Sequence, residues 1–102
     1  MISEKEVRLA IYPIQDPELH MSLIDLGLIY GVRILEEGKR VEVDMTLTSI
    51  ACPIGPELRA AVHGALCQLP GVESVDVNLV FSPPWDPRTM ASEDVQMDLG
   101  LL

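Results

Sequence analysis

Hydrophobic and polar residues alternate along three stretches of the chain, and this period of two is typical of strands that bury one face. The stretches cover residues 28–35, 41–48 and 75–81. The sequence Glu36-Glu37-Gly38 separates the first two and predicts a hairpin. Pro83 and Pro84 follow the third stretch and are expected to end it. The chain is therefore expected to form a small sheet that includes one hairpin.

Three other segments space their apolar residues at intervals of three and four, as helices do. Ser3 and Glu6 form a capping-box pattern ahead of a short first helix, which Pro13 stops. A central helix is predicted over residues 53–69 and a final one over 92–99. This order predicts one α+β domain over residues 1–102, a two-layer sandwich in which helices cover one face of a small mixed or antiparallel sheet.

The charge of the chain limits its partners. Its 102 residues include 16 acidic and 7 basic side chains, a formal net charge of −9 at pH 7. Such a charge repels phosphate backbones, so we expect no nucleic-acid partner, and it suits basic surfaces on partner proteins. No apolar run approaches the roughly 20 residues of a membrane span, and the first residues lack the apolar centre of a signal peptide. We therefore expect a cytoplasmic protein with no membrane partner and with reduced thiols.

Cys52 lies where the second predicted strand gives way to the central helix. Pro53 suits the first helical position, because the N–H that it lacks would have no intrahelical partner there. The free N–H groups of the first helical turn then favour the thiolate form of Cys52. A thiolate attacks electrophiles and binds soft metals such as iron. Cys52 is therefore the candidate reactive, cofactor-binding and metal-binding residue.

Three further polar residues lie at predicted turns or strand ends, where each has a structural role. The predicted tight turn over residues 22–27 brings Asp25 to the start of the first strand, where it would cap the turn. Thr48 either bonds the loop ahead of Cys52 or simply ends a strand, and a structural role is favoured. Glu18 follows Pro17 in a turn, where it faces solvent or caps that turn.

The second cysteine and the one tryptophan have structural interpretations. The predicted helix places Cys67 about 22 Å from Cys52, too far for a disulfide or a shared metal. His63 and Cys67 are four residues apart and share a helical face, but two ligands without a third make a weak metal site. We expect a packed thiol beside an exposed histidine. Trp85 is expected to close one end of the core rather than to anchor a partner.

Five short motifs occur in one order along the chain. They are Asp16-Pro17-Glu18, Asp25-Leu26-Gly27-Leu28-Ile29-Tyr30, Thr48 with Cys52-Pro53, Leu69-Pro70-Gly71-Val72 and Pro83-Pro84-Trp85. Together they resemble the SufT/PaaD-like family over about residues 4 to 99. The resemblance implies an iron–sulfur cluster assembly fold, a role in iron–sulfur protein maturation and a reactive Cys52. It also implies a nearby Asp25 carboxylate, which would orient or deprotonate the thiol instead of capping the turn. Phenylacetate-pathway members of the family add a cysteine-rich region after the position of Trp85. No cysteine follows Trp85 in this sequence, so the resemblance is closer to stand-alone SufT-like members.

One cysteine cannot cage an iron–sulfur cluster, which normally takes four protein ligands. Cys52 would therefore hold iron or a cluster transiently, sharing it with a partner protein or with a second subunit in a homodimer. The expected function is a carrier or transfer adaptor between iron–sulfur assembly proteins and apo client proteins, rather than a turnover enzyme. The alternative is a non-catalytic adaptor that links apo-targets to the assembly machinery without Cys52. A thiol enzyme is disfavoured, because the sequence places no histidine base near Cys52.

Overall fold

The part of the chain that the structure describes contains five α-helices, one short 3-10 helix and three strands. The structure is a computed structural model, and it describes residues 2–17, 19–47 and 55–100. The elements in chain order are α1 (Glu4–Ile11), α2 (Leu23–Leu26), β1 (Ile29–Leu35), β2 (Arg40–Met45), α3 (Gly55–Cys67), β3 (Ser74–Leu79), α4 (Pro87–Met90) and α5 (Glu93–Asp98). None of these helices is both long and apolar enough to cross a membrane.

The three strands form one mixed sheet in the order β1-β2-β3. β1 pairs with β2 antiparallel through the predicted turn at Glu36–Gly38, which is a short 3-10 helix. β2 pairs with β3 parallel, and parallel neighbours need a long crossover, which contains α3. The predicted α+β fold with a small mixed sheet is therefore confirmed.

The sheet buries one face and leaves the other polar. Alternate residues of β2 and β3 enter the core, where α1 and α3 pack; they are Val41, Val43, Met45, Val75 and Val77. On the outer face Arg33 donates two hydrogen bonds to Asp44, at 2.8 and 3.0 Å, and these bonds hold the pKa of the Asp44 carboxyl below its ordinary value. The alternation seen in the sequence thus separates an aliphatic face of the sheet from a charged one. The helices cover the aliphatic face, so the fold has two layers.

The first helix begins and ends where the sequence predicts. The Ser3 hydroxyl accepts a hydrogen bond from the backbone N–H of Glu6 at 3.3 Å, which makes Ser3 the N-cap. α1 ends at Ile11, two residues before Pro13, and its buried residues Val7 and Ile11 face the core. This helix covers part of the sheet, as its spacing of apolar residues indicates.

Several element ends differ from the predictions. β3 ends at Leu79 and not at residue 81, because its neighbour β2 ends at Met45, the residue that pairs with Leu79. The described part of the central helix ends at Cys67 and not at residue 69, where Leu69 makes a tighter turn by donating to the carbonyl of Leu66. The predicted helix start at residue 53 lies outside the described residues.

Candidate functional site

The structure describes one of the four predicted site residues, Asp25. The other three lie outside the described residues; they are Cys52, Thr48 and Glu18. The described residues that flank the segment 48–54 are in contact, because a Cβ added at Gly55 would stand 2.9 Å from a side-chain methyl of Leu47. Both flanks are buried. The chain thus leaves and re-enters the core at neighbouring points on either side of the segment that holds Cys52.

Asp25 lies in a one-turn helix, α2, where the sequence predicts only a tight turn. The Ser22 hydroxyl caps this helix by accepting from the N–H of Ile24 at 3.2 Å. Gly27 ends it with a left-handed backbone (φ 76°), and its N–H donates to the carbonyl of Ile24 at 3.1 Å. Four residues are too few to display a helical period in sequence, so the prediction of a tight turn is wrong in this detail.

The Asp25 side chain bonds a tyrosine from another helix end. The Tyr12 hydroxyl, just past α1, donates to Asp25 Oδ2 at 3.1 Å. The backbone carbonyl of Asp25 accepts from the N–H of Ser92 at 2.8 Å, which ties α2 to the N-cap of α5. The N-cap of α2 is Ser22 and not Asp25. The Asp25 carboxylate bonds the Tyr12 hydroxyl instead. It remains half-buried at the surface and keeps lone pairs for a further donor.

Asp25 lines an acidic cleft of about 290 Å³. The residues that give this cleft its charge and its aromatic wall are Tyr12, His20, Asp25, Asp94 and Asp98. The hydrogen bond to Asp25 raises the pKa of Tyr12 above its ordinary value, and the charges of Asp25 and Asp94 and partial burial add to the shift. Within residues 2–17, 19–47 and 55–100, no three His, Cys, Asp or Glu side chains are grouped closely enough to hold a metal ion.

Replacing Asp25 with asparagine should lower the pKa of Tyr12 toward its ordinary value. Removing the carboxylate removes a charge that favours the neutral phenol. Because the pKa of Tyr12 is raised in the folded state, the neutral phenol stabilises the fold fully at pH values below the ordinary tyrosine pKa of about 10. This contribution is lost as the pH rises from that value through the pKa of the folded state. Ultraviolet titration of phenolate absorbance measures the shift, with Tyr12→Phe to assign the signal. Equal midpoints in the native chain and Asp25→Asn would contradict the hydrogen bond.

The tryptophan and the proline pair join the C-terminal segment to the Asp25 motif. The Trp85 indole N–H donates to the carbonyl of Leu26 at 2.7 Å, and the ring packs against the core. The Tyr30 hydroxyl donates to the carbonyl of Pro83 at 2.8 Å. The predicted packing role of Trp85 is confirmed. Two motifs that are far apart in sequence therefore form one structural unit.

Asp16 is a buried carboxylate, although its position before Pro17 predicts only a turn residue. It is 1% exposed, and its Oδ1 accepts from the N–H of Leu19 at 3.1 Å. Its backbone N–H donates to the carbonyl of Met21, and its carbonyl accepts from His20. An aspartate before proline often makes such a turn, so this signal was available in the sequence. In the first motif, Asp16 shapes the chain that leads to α2.

The expectation of a packed Cys67 thiol is wrong. Cys67 is exposed, with its Sγ 3.6 Å from His63 Nδ1. Leu58, Val62 and Leu66 recur every fourth residue and take the buried face of α3, so the residues that follow Val62 and Leu66 turn toward solvent. The predicted pairing of His63 and Cys67 on one face is confirmed.

Known proteins are similar to this chain over most of its length. The model of the family described as iron–sulfur cluster assembly protein matches residues 4–78. The chain is 42% identical over 86 residues to "Fe-S protein maturation auxiliary factor SufT" of Staphylococcus aureus, covering 84% of this chain and 96% of the relative. It is 38% identical over 92 residues to "Fe-S protein maturation auxiliary factor YitW" of Bacillus subtilis, covering 90% of this chain and 88% of the relative.

A solved structure has the same fold. The crystal structure of a domain of unknown function, DUF59, from Bacillus anthracis superimposes with a TM-score of 0.85 at 32% sequence identity. The alignment covers 97% of this chain and 92% of that one. These matches confirm the family resemblance that the five ordered motifs predict.

Proposed function

This chain belongs to the iron–sulfur cluster assembly protein family, and on that premise we propose that it matures iron–sulfur proteins as a carrier or transfer adaptor through the Cys52 thiolate. The relatives from Staphylococcus aureus and Bacillus subtilis, both named as maturation auxiliary factors, support the maturation role. The observation that carries the thiolate role is the position of Cys52 three residues ahead of Gly55, the first described residue of α3. N–H groups at a helix start stabilise a nearby thiolate.

The cargo of this site is iron or an iron–sulfur cluster, bound transiently. A single thiolate supplies one of the four ligands that a cluster takes. The remaining ligands come from a partner protein or from Cys52 of a second subunit in a homodimer, with small thiols completing the set. Incomplete ligation by this chain makes the complex labile, and a carrier must release its cargo to a client that binds it more tightly.

Asp25 is the proposed supporting group for Cys52, as an acceptor that orients or deprotonates the thiol. It is half-buried, and its Oδ2 accepts the hydrogen bond from the Tyr12 hydroxyl, so the carboxylate keeps acceptor positions for a further donor. Thr48 is proposed to hold the loop ahead of Cys52, and Glu18 to support the turn that follows Pro17.

The proposed partners are iron–sulfur assembly proteins and apo client proteins in the cytoplasm. A net charge of −9 favours partners with basic surfaces and speeds their encounter. The acidic cleft beside Tyr12 adds a local negative surface to this overall charge. Binding of these partners would bring apo client proteins and assembly proteins close to Cys52.

Anaerobic reconstitution tests the carrier role. Purified protein incubated with ferrous iron, sulfide and a small thiol is expected to gain the visible absorption of an iron–sulfur chromophore. Cys52→Ser should abolish this absorption, because a hydroxyl stays protonated near neutral pH and binds iron poorly. Cys67→Ser is the matched control, since it removes the other, exposed cysteine and should leave the absorption intact. Absorption that survives Cys52→Ser, or that never forms in the native chain, would refute the carrier role.

The acidic surface also supports a second candidate, a non-catalytic adaptor that links apo-targets to the assembly machinery. Its contacts would use charged surfaces such as the acidic cleft, and Cys52 would be dispensable. The adaptor and the carrier differ in what Cys52→Ser does to client maturation in cells.

A further inference from the structure

A second cleft, of about 470 Å³, uses other residues of the same α2 turn and has the opposite chemistry. Its lining includes Gly27 at the end of α2 and six side chains: Arg8, Ile24, Ile29, Tyr30, Pro83 and Met90. We call it the Arg8 cleft. Its volume lies within the range of about 300–1,000 Å³ that is typical of ligand sites. The Arg8 cleft is therefore large enough to receive a ligand group.

Hydrogen bonds between distant elements hold the walls of the Arg8 cleft. The Tyr30 hydroxyl donates to the Pro83 carbonyl at 2.8 Å, and Trp85 donates to the Leu26 carbonyl at 2.7 Å. Gly27 lies so close to the Met90 backbone that no side chain fits between them. Because these contacts join elements that are far apart in sequence, they fix the walls of the cleft, and a ligand need not order them.

The lining combines apolar side chains with one cation. Arg8 is the one charged side chain among the described residues that line the cleft. The structure pairs Arg8 with Glu4 at 3.5 Å, and the two side chains are 36% and 59% exposed. Such solvent-exposed pairs are weak, so a ligand carboxylate that accepts two guanidinium N–H bonds would replace Glu4. The cleft therefore suits an apolar group that lies beside a carboxylate.

We propose that the Arg8 cleft docks a segment of a partner protein that presents an apolar side chain next to an aspartate or glutamate. A partner segment is favoured over a small acid because Ile24, Tyr30 and Met90 are only half-buried. A small molecule would leave the open side of the cleft in water, whereas a protein segment covers it. The apolar side chain packs on these residues and its acidic neighbour pairs with Arg8. This docking role goes beyond the carrier function and does not use Cys52.

Amide chemical shifts of ¹⁵N-labelled full-length protein test the docking proposal. The probe is the peptide acetyl-Leu-Asp-Leu-amide, and the matched peptide is acetyl-Leu-Asn-Leu-amide. We expect the aspartate peptide to shift the amides of Ile24, Gly27, Tyr30 and Met90. Exchange of aspartate for asparagine, or Arg8→Gln, should weaken binding roughly tenfold, because either change removes the charge-assisted pair. Arg8→Lys keeps the charge without the paired donors and should give an intermediate affinity.

Control variants separate this proposal from the others. Arg33→Gln removes an arginine from the outer sheet face and should bind the peptide as the native chain does. Cys52→Ser should also bind normally, so a failed carrier role leaves the docking result interpretable. Absence of shifts at about 10 mM peptide, or shifts that Arg8→Gln and Arg8→Lys leave unchanged, would overturn the proposal. Binding of 4-methylpentanoate as tight as that of the peptide would assign the cleft to small acids and would also overturn it.

Discussion

Gly27→Ala should destabilise the fold by about 3 kcal/mol or more. Gly27 has a φ of 76°, in the left-handed region that alanine adopts only at a cost. An added Cβ would also overlap the carbonyl oxygen of Met90 and stand 2.6 Å from its carbonyl carbon. The obstacle is backbone, so the chain around α4 would have to move. Urea unfolding followed by circular dichroism measures the loss in the free energy of unfolding.

Two other glycines separate the causes of this loss. Gly71 has a φ of 83° with nothing near its added Cβ, so Gly71→Ala measures the cost of the left-handed backbone alone, about 1–2 kcal/mol. Gly64 lies in α3 with open space around its Cβ, and Gly64→Ala should stabilise the protein by up to about 1 kcal/mol. If Gly27→Ala cost no more than Gly71→Ala, the close approach of Met90 would be refuted.

Cys52→Ser should reduce the maturation of iron–sulfur client enzymes to the level of cells that lack the protein. The substitution keeps the side-chain volume but replaces the proposed thiolate with a neutral hydroxyl, so the proposed iron ligand is lost while the fold survives. The measurement is client enzyme activity in cells that express equal amounts of each variant. Thermal unfolding of the purified variant checks that the fold is intact.

Cys67→Ser is the control for this experiment and should support normal maturation. It lies at the exposed end of α3, beside His63, away from the proposed chemistry. Normal maturation with Cys52→Ser would instead favour the adaptor function, in which partner contacts matter and the thiol does not. Together with reconstitution in vitro, the result distinguishes cargo binding from scaffolding.

Local features of the chain were readable without a structure. The Ser3 cap is a short-range hydrogen bond between residues three apart, and the capping pattern shows it. The alternation in β2 and β3 predicts their buried faces, because side chains on a strand point to opposite sides in turn. The position of Cys52 ahead of a predicted helix start likewise indicates a thiolate from local sequence. Its role stays a prediction, because Cys52 lies outside the described residues.

Local periodicity and the order of short motifs are enough to predict the α+β class, the hairpin, the main helices and the family. The surroundings of Asp25 depend instead on contacts between segments that are far apart in the chain. Its bond from Tyr12 spans 13 residues, and the bond from Trp85 to the same turn spans 59. No local pattern encodes such pairs, since packing of distant segments selects them after the elements form. The acidic cleft and the Arg8 cleft exist for the same reason, on residues drawn from both ends of the chain.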